Sequence, residues 1–123
     1  MIRKNRRFKI VSRRLRARKG SKMEITKVKN GGSMEFKLTG RLDTNTAPEL
    51  TEAVKATATE ELSEVIFDFK DLDYISSAGL RVILMTQKLM NSRKGSMVVR
   101  HPNQIIAEVF EATGFTDIMK IEA

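Results

Sequence analysis

Glu64-Val65-Ile66-Phe67-Asp68-Phe69, Lys70-Asp71-Leu72-Asp73-Tyr74-Ile75 and Ser76-Ser77-Ala78-Gly79-Leu80-Arg81-Val82-Ile83-Leu84 follow one another without a break and set the architecture. Val65, Ile66 and Phe67 form an apolar run too short for a helix and rich in β-branched and aromatic side chains, which predicts a central strand. Lys70–Ile75 reads as the loop leaving that strand, because Asp71 and Asp73 are residues that bond their own backbone in turns. A helix is expected from about Gly79 to Asn91, entered through two adjacent hydroxyls. Serine is a preferred N-cap because its oxygen accepts an orphan N–H of the first turn.

Outward from this unit the pattern repeats. On the N-terminal side, Glu24–Lys29 and Met34–Thr39 read as two strands joined by a hairpin at Asn30-Gly31-Gly32-Ser33. In the second of them Met34, Phe36 and Leu38 alternate with polar residues, giving one buried and one wet face. Gly40 is expected to end that strand, and Arg41–Asn45 to form a loop. Thr46-Ala47-Pro48-Glu49 has a capping-box pattern with proline in the first turn. The following helix places Leu50, Ala53, Val54 and Thr57 on one face and ends before Glu60. On the C-terminal side, Met97–Arg100 reads as a buried strand and Pro102-Asn103 opens a helix carrying Ile105, Ile106, Val109 and Phe110. Gly114 stops it, and Phe115, Ile118 and Ile121 form a short apolar tail. The order β-β-α-β-α-β-α predicts an α/β domain with a mixed sheet of four to five strands, three to four helices and right-handed crossovers.

The chain has 123 residues and a net charge of +8, but the charge is unevenly placed. Residues 1–22 hold 11 of the 23 Lys and Arg and none of the 15 Asp and Glu, so residues 23–123 carry a net charge of −3. The first 22 residues have too little patterned apolar content to fold alone and are expected to be a disordered basic extension, with residues 23–123 as the domain. Met23, directly after this run, is an alternative natural start. If retained, the extension binds phosphate-rich partners, such as RNA or an anionic membrane surface, through charge and with marked salt dependence. The mildly acidic domain is not expected to contact DNA. The absence of cysteine excludes a disulfide framework, thiolate metal sites and thiol nucleophiles. No apolar run approaches a membrane span and no secretory signal pattern is present, so a cytosolic protein is expected.

Catalytic readings find little to stand on. The sole histidine, His101, falls at a strand end before Pro102, and neither a nucleophile elbow nor a glycine-rich phosphate loop is present. Asp43, Asp68, Asp71 and Asp73 do not form a metal-ligand pattern, and neither a cofactor nor a small-molecule substrate is expected. The loop hydroxyls carry the functional reading instead. A phosphate placed there meets the positive end of a helix dipole, worth about 0.3–1 kcal/mol to a nearby anion, so the fold survives the modification. The phosphate's own charge of about −1.5 to −2 opposes docking of an acidic or apolar partner surface. Ala78, Leu80, Val82, Ile83, Leu84 and Met85 are apolar over more of the helix than a one-sided surface helix requires, leaving some for contact.

Three segments together resemble the STAS domain of anti-anti-sigma factors (anti-sigma factor antagonists), over about Glu24–Ile121. Leu38-Thr39-Gly40-Arg41-Leu42-Asp43 is similar to that family's L-x-G-x-L-D segment. Asp71-Leu72, Tyr74-Ile75-Ser76-Ser77 and Gly79-Leu80 are similar to its phosphorylation loop, and the apolar C-terminal helix followed by Gly114-Phe115 completes the resemblance. It implies a STAS fold and a non-enzymatic regulator of transcription that works by partner switching. Such a protein binds an anti-sigma factor that is also a serine kinase, is released when that kinase phosphorylates the loop serine, and is reset by a PP2C-type phosphatase. By the same resemblance Ser77 is the acceptor, with Ser76 as the alternative hydroxyl. Asp43, Thr44, Tyr74, Ser76, Ala78, Gly79, Leu80 and Arg81 are the implied partner-binding residues. The sequence departs from the family pattern at Ser76, Ala78 and Arg81, where Asp, a hydroxyl residue and Gly are common. The other role compatible with the fold is an unphosphorylated interaction module, such as an accessory subunit of a transporter or signalling complex.

Overall fold

A computed structural model of the chain describes residues 11–16, 23–57 and 60–123. Six strands form one sheet in the order of the chain: β1 Val11–Arg16, β2 Met23–Asn30, β3 Ser33–Leu42, β4 Glu64–Ile75, β5 Ser96–Arg100 and β6 Lys120–Glu122. The first two pairings are antiparallel and the next three parallel. Each parallel step is crossed by a helix: α1 Ala47–Ala56, α2 Ser77–Ser92 and α3 Gln104–Ala112, the last followed by a short 3-10 turn at Phe115–Asp117. The expected α/β architecture with a mixed sheet is therefore present. The sheet is wider than four to five strands because both ends of the chain add a short edge strand.

One of those edges corrects the reading of the extension. Val11–Arg16, expected to be disordered, pairs with β2 from Val11↔Lys29 to Arg16↔Glu24. Backbone pairing to an open sheet edge orders a segment whose own apolar content would not suffice. The rest of residues 1–22 lies outside the described residues.

Consecutive strand order with right-handed crossovers puts successive helices on the same side of a sheet. Accordingly, one cluster unites Leu50 and Val54 of α1, Ile83 and Met90 of α2, and Ile106 and Phe110 of α3 with Phe36, Phe67, Phe69 and Val99 of the sheet. Phe36 and Phe67 are register partners on β3 and β4 with ring centroids 5.5 Å apart. The contact chain continues through Phe69, Phe110 and Phe115 at 6.2, 6.1 and 6.0 Å. A row of aromatic rings thus links the middle of the sheet to the C-terminal turn.

Two strand ends differ from the sequence reading, and both differences shape the site. β3 does not stop at Gly40. The glycine takes φ +103°, a conformation costly for other residues, beside irregularities in the β3–β4 register, and the strand runs on to Leu42. β4 likewise continues through the segment read as a loop. Thr39↔Asp71, Gly40↔Leu72, Arg41↔Tyr74 and Leu42↔Ile75 pair, with Leu72 and Ile75 buried and Asp71, Asp73 and Tyr74 outward. An apolar residue at every third position hid this strand from a period-two reading.

Candidate functional site

The C-terminal ends of β3 and β4 and the N-terminus of α2 meet at one edge of the domain. The Ser76 N–H donates to the Leu42 carbonyl at 2.9 Å, fastening the start of the helix to the end of β3. Ser76 has extended backbone geometry, and its Oγ accepts the Gly79 N–H at 3.3 Å. Its carbonyl accepts the Leu80 N–H at 2.9 Å. It is the N-cap, half-buried and occupied. Ser77 follows as the first helical residue, exposed, and its hydroxyl has no hydrogen-bond partner among the described residues. Two adjacent hydroxyls therefore have different positions: one closes the helix, the other faces solvent.

Gly79 makes this tight junction feasible. A Cβ there would lie 2.7 Å from Leu42 Cγ, 2.9 Å from Ile75 Cγ1 and 3.0 Å from the Leu42 carbonyl oxygen. That oxygen already receives the Ser76 N–H and is part of paired backbone, so it cannot simply move aside. Gly79→Ala is expected to gain up to about 1 kcal/mol in helix propensity and to lose about 1–3 kcal/mol to overpacking. The expected net result is a lower urea midpoint at unchanged slope. An unchanged or raised midpoint would show that the helix entrance relaxes freely.

The loop beside the junction is built around Asp43. Its Oδ1 accepts the N–H groups of Asn45 at 3.0 Å and Thr46 at 3.1 Å, and its carbonyl accepts the Ala47 N–H at 2.8 Å. Thr46 does not form the expected capping box. Its buried hydroxyl turns back, accepting the Asp43 N–H and donating to the Arg41 carbonyl, both at 2.8 Å. Burial pushes the Asp43 carboxyl up, but the bonds from Thr46, Asn45 and Arg41 together hold it below the ordinary carboxylate range. Asp43 is thus a fixed anion at neutral pH. Arg41 Nε lies 3.6 Å from Asp43 Oδ2, and its guanidinium carbon sits 4.3 Å from the Tyr74 ring centroid.

Most of the residues implied by sequence thus share one edge. Thr44, Tyr74, Ser77 and Arg81 are exposed, and Asp43, Ser76 and Ala78 are half-buried. Gly79 and Leu80 depart from the expectation of partner contact: both are buried, Gly79 packed against Leu42 and Ile75 and Leu80 in the core. They shape the surface from beneath. Two residues at the site were not singled out by sequence. Arg41 joins Asp43 to Tyr74, a link legible only once β4 is extended to Ile75. Asn103, the α3 N-cap, donates from its amide to the carbonyls of Leu72 and Asp73, both at 3.3 Å, tying a second helix start to the same edge.

The remaining candidates are placed elsewhere. Asp68 accepts the Lys70 N–H at 3.0 Å, and among the described residues no group of three or more His, Asp or Glu gathers as a metal site would require. His101 is exposed with φ +58° at the end of β5, and its N–H donates to the Glu122 carbonyl of β6 at 2.8 Å. No described helix is long and apolar enough to cross a membrane.

A mixed sheet with its helices on one side, and a hydroxyl presented at a helix start on one edge, describes a small α/β domain with a candidate modification loop. The chain belongs to the STAS domain family, whose model matches residues 24–123. It is 33% identical over 99 residues to BtrV of Bordetella bronchiseptica, provisionally named an anti-sigma factor antagonist, covering 80% of this chain and 85% of that protein. It is 29% identical over 94 residues to the anti-sigma-B factor antagonist of Bacillus subtilis strain 168, covering 76% and 85%. Among solved structures, an anti-sigma factor antagonist from Mycobacterium paratuberculosis superposes with a TM-score of 0.75 at 18% identity, over 87% of this chain and 90% of that one. These relatives are named for antagonism of a regulator, not for a reaction.

Proposed function

We propose that this protein is an anti-sigma factor antagonist: unmodified, it docks through the edge formed by Asp43, Tyr74 and Ser77 onto an anti-sigma factor that is also a serine kinase. Phosphorylation of Ser77 by that partner ends the complex, and a PP2C-type phosphatase restores it. The observation that carries this reading is the exposed, unengaged Ser77 hydroxyl at the first position of α2, next to a Ser76 hydroxyl committed to the cap. In the transfer, Ser77 Oγ attacks the γ-phosphorus of ATP and a new O–P bond forms. The bond to the bridging oxygen breaks, ADP leaves, and the hydroxyl proton passes to a base of the kinase. The product phosphate sits at a helix N-terminus, where its charge is tolerated by the fold.

Incubating the full chain with its anti-sigma factor kinase and ATP, followed by intact and peptide mass spectrometry, tests the assignment. One phosphate on Ser77 is expected, retained in Ser76→Ala and absent in Ser77→Ala. No phosphate on either serine would replace the switch with the unphosphorylated interaction module, and a phosphate on Ser76 would reassign the acceptor.

A further inference from the structure

Ser77 and Arg81 stand one helical turn apart on α2, and both are exposed. Side chains four residues apart on a helix share a face, with Cβ atoms about 5–6 Å from each other. Arg81 makes no ion pair or hydrogen bond among the described residues, whereas Arg41 is already engaged with Asp43 and Tyr74. The first turn of α2 contains no acidic residue, so no carboxylate there competes for the guanidinium. An exposed acceptor and an uncommitted cation thus face the same side of the same helix.

We infer that Arg81 is an intrahelical clamp for the phosphate carried by Ser77. The inference rests on the reading of Ser77 as the acceptor and specifies how the modified state is held. A guanidinium matches phosphate through parallel N–H···O bonds, and an anion placed four residues N-terminal to a cation is the favourable orientation on a helix. The clamp gives the switch two parts. In the unmodified protein Arg81 offers a free positive charge to the docking partner. Once Ser77 is phosphorylated, that cation is drawn onto the phosphate, so the modification withdraws one contact while introducing a repulsive one.

The test uses the full chain with phosphoserine installed at position 77 during translation, independently of any kinase. Phosphorus NMR then follows the second ionisation of that phosphate in the wild-type background, in Arg81→Gln and in Arg81→Lys. A pairing guanidinium favours the dianion, so the second pKa is expected to be roughly 0.15–0.4 unit higher in Arg81→Gln than in wild type, from the usual strength of such helix pairs. Arg81→Lys is expected to fall between them, and the difference to shrink in high salt. A purely structural role for Arg81 would not produce this graded, salt-sensitive shift. The same pKa in all three backgrounds overturns the clamp. The two readings fail separately: a kinase that leaves Ser77 unmodified removes the acceptor assignment whatever the titration shows, while equal titrations remove only the clamp.

Discussion

Ser77→Asp is expected to weaken binding of the unmodified chain's anti-sigma factor partner by about 10–100-fold, corresponding to roughly 1.4–2.8 kcal/mol, while leaving the domain as stable as before or slightly more so. The two effects have opposite signs for a physical reason. A carboxylate at the first position of α2 interacts favourably with the positive end of the helix, worth about 0.3–1 kcal/mol at an exposed site. The same charge, exposed at the edge where Asp43 is already a fixed anion, meets whatever acidic or apolar surface the partner presents. Ser77→Ala removes the acceptor but adds no charge, so it is expected to bind like the unmodified protein and to resist release by ATP. Calorimetric titration paired with urea unfolding separates binding from stability. If Ser77→Asp binds with undiminished affinity, charge at this position is not the signal. If it binds weakly because the domain has unfolded, the fault lies in the fold.

Phe67→Ala is expected to cost about 3–5 kcal/mol, a large share of the roughly 5–15 kcal/mol that holds a domain of this kind together. Phe67 is fully buried on a strand flanked on both sides, stacked on Phe36 of β3 and tilted against Phe69. Its removal leaves a cavity between the sheet and the helices packed on it, which strands paired on both sides of β4 cannot move to fill. It also detaches one end of the aromatic row that reaches α3 and the C-terminal turn. A lower urea midpoint with an unchanged slope would register this as lost stability rather than a changed unfolded state. A cost below about 1 kcal/mol would mean that the row is not a continuous packing unit.

How much of this was legible in the sequence depended on the element. The Val65-Ile66-Phe67 run is continuously apolar, the alternation of Met34, Phe36 and Leu38 and the spacing of Leu50, Ala53, Val54 and Thr57 each obey a single period, and all of these residues are buried. The second half of β4 does not, because Asp71, Asp73 and Tyr74 face outward while only Leu72 and Ile75, three residues apart, are buried, and its strand character comes from pairing with β3. β1 is similar: nothing local to Val11–Arg16 demands a strand, and the open edge of β2 supplies the reason. At the site, the Thr46 capping pattern misled because Asp43 competes for the same backbone groups and takes the Thr46 N–H itself. The two serines were distinguishable only by resemblance until the geometry placed one in the cap and the other in solvent. Arg41 was hidden for the same reason as β4, since its stacking on Tyr74 requires a register that the loop reading denied.

The most direct test of the switch is the affinity of the anti-sigma factor for the full wild-type chain, measured before and after complete phosphorylation at Ser77 and again after phosphatase treatment. A fall of at least about tenfold on phosphorylation, reversed when the phosphate is removed, is the predicted result. Equal affinity in all three states would contradict it and leave the edge around Ser77 as a docking surface without a switch.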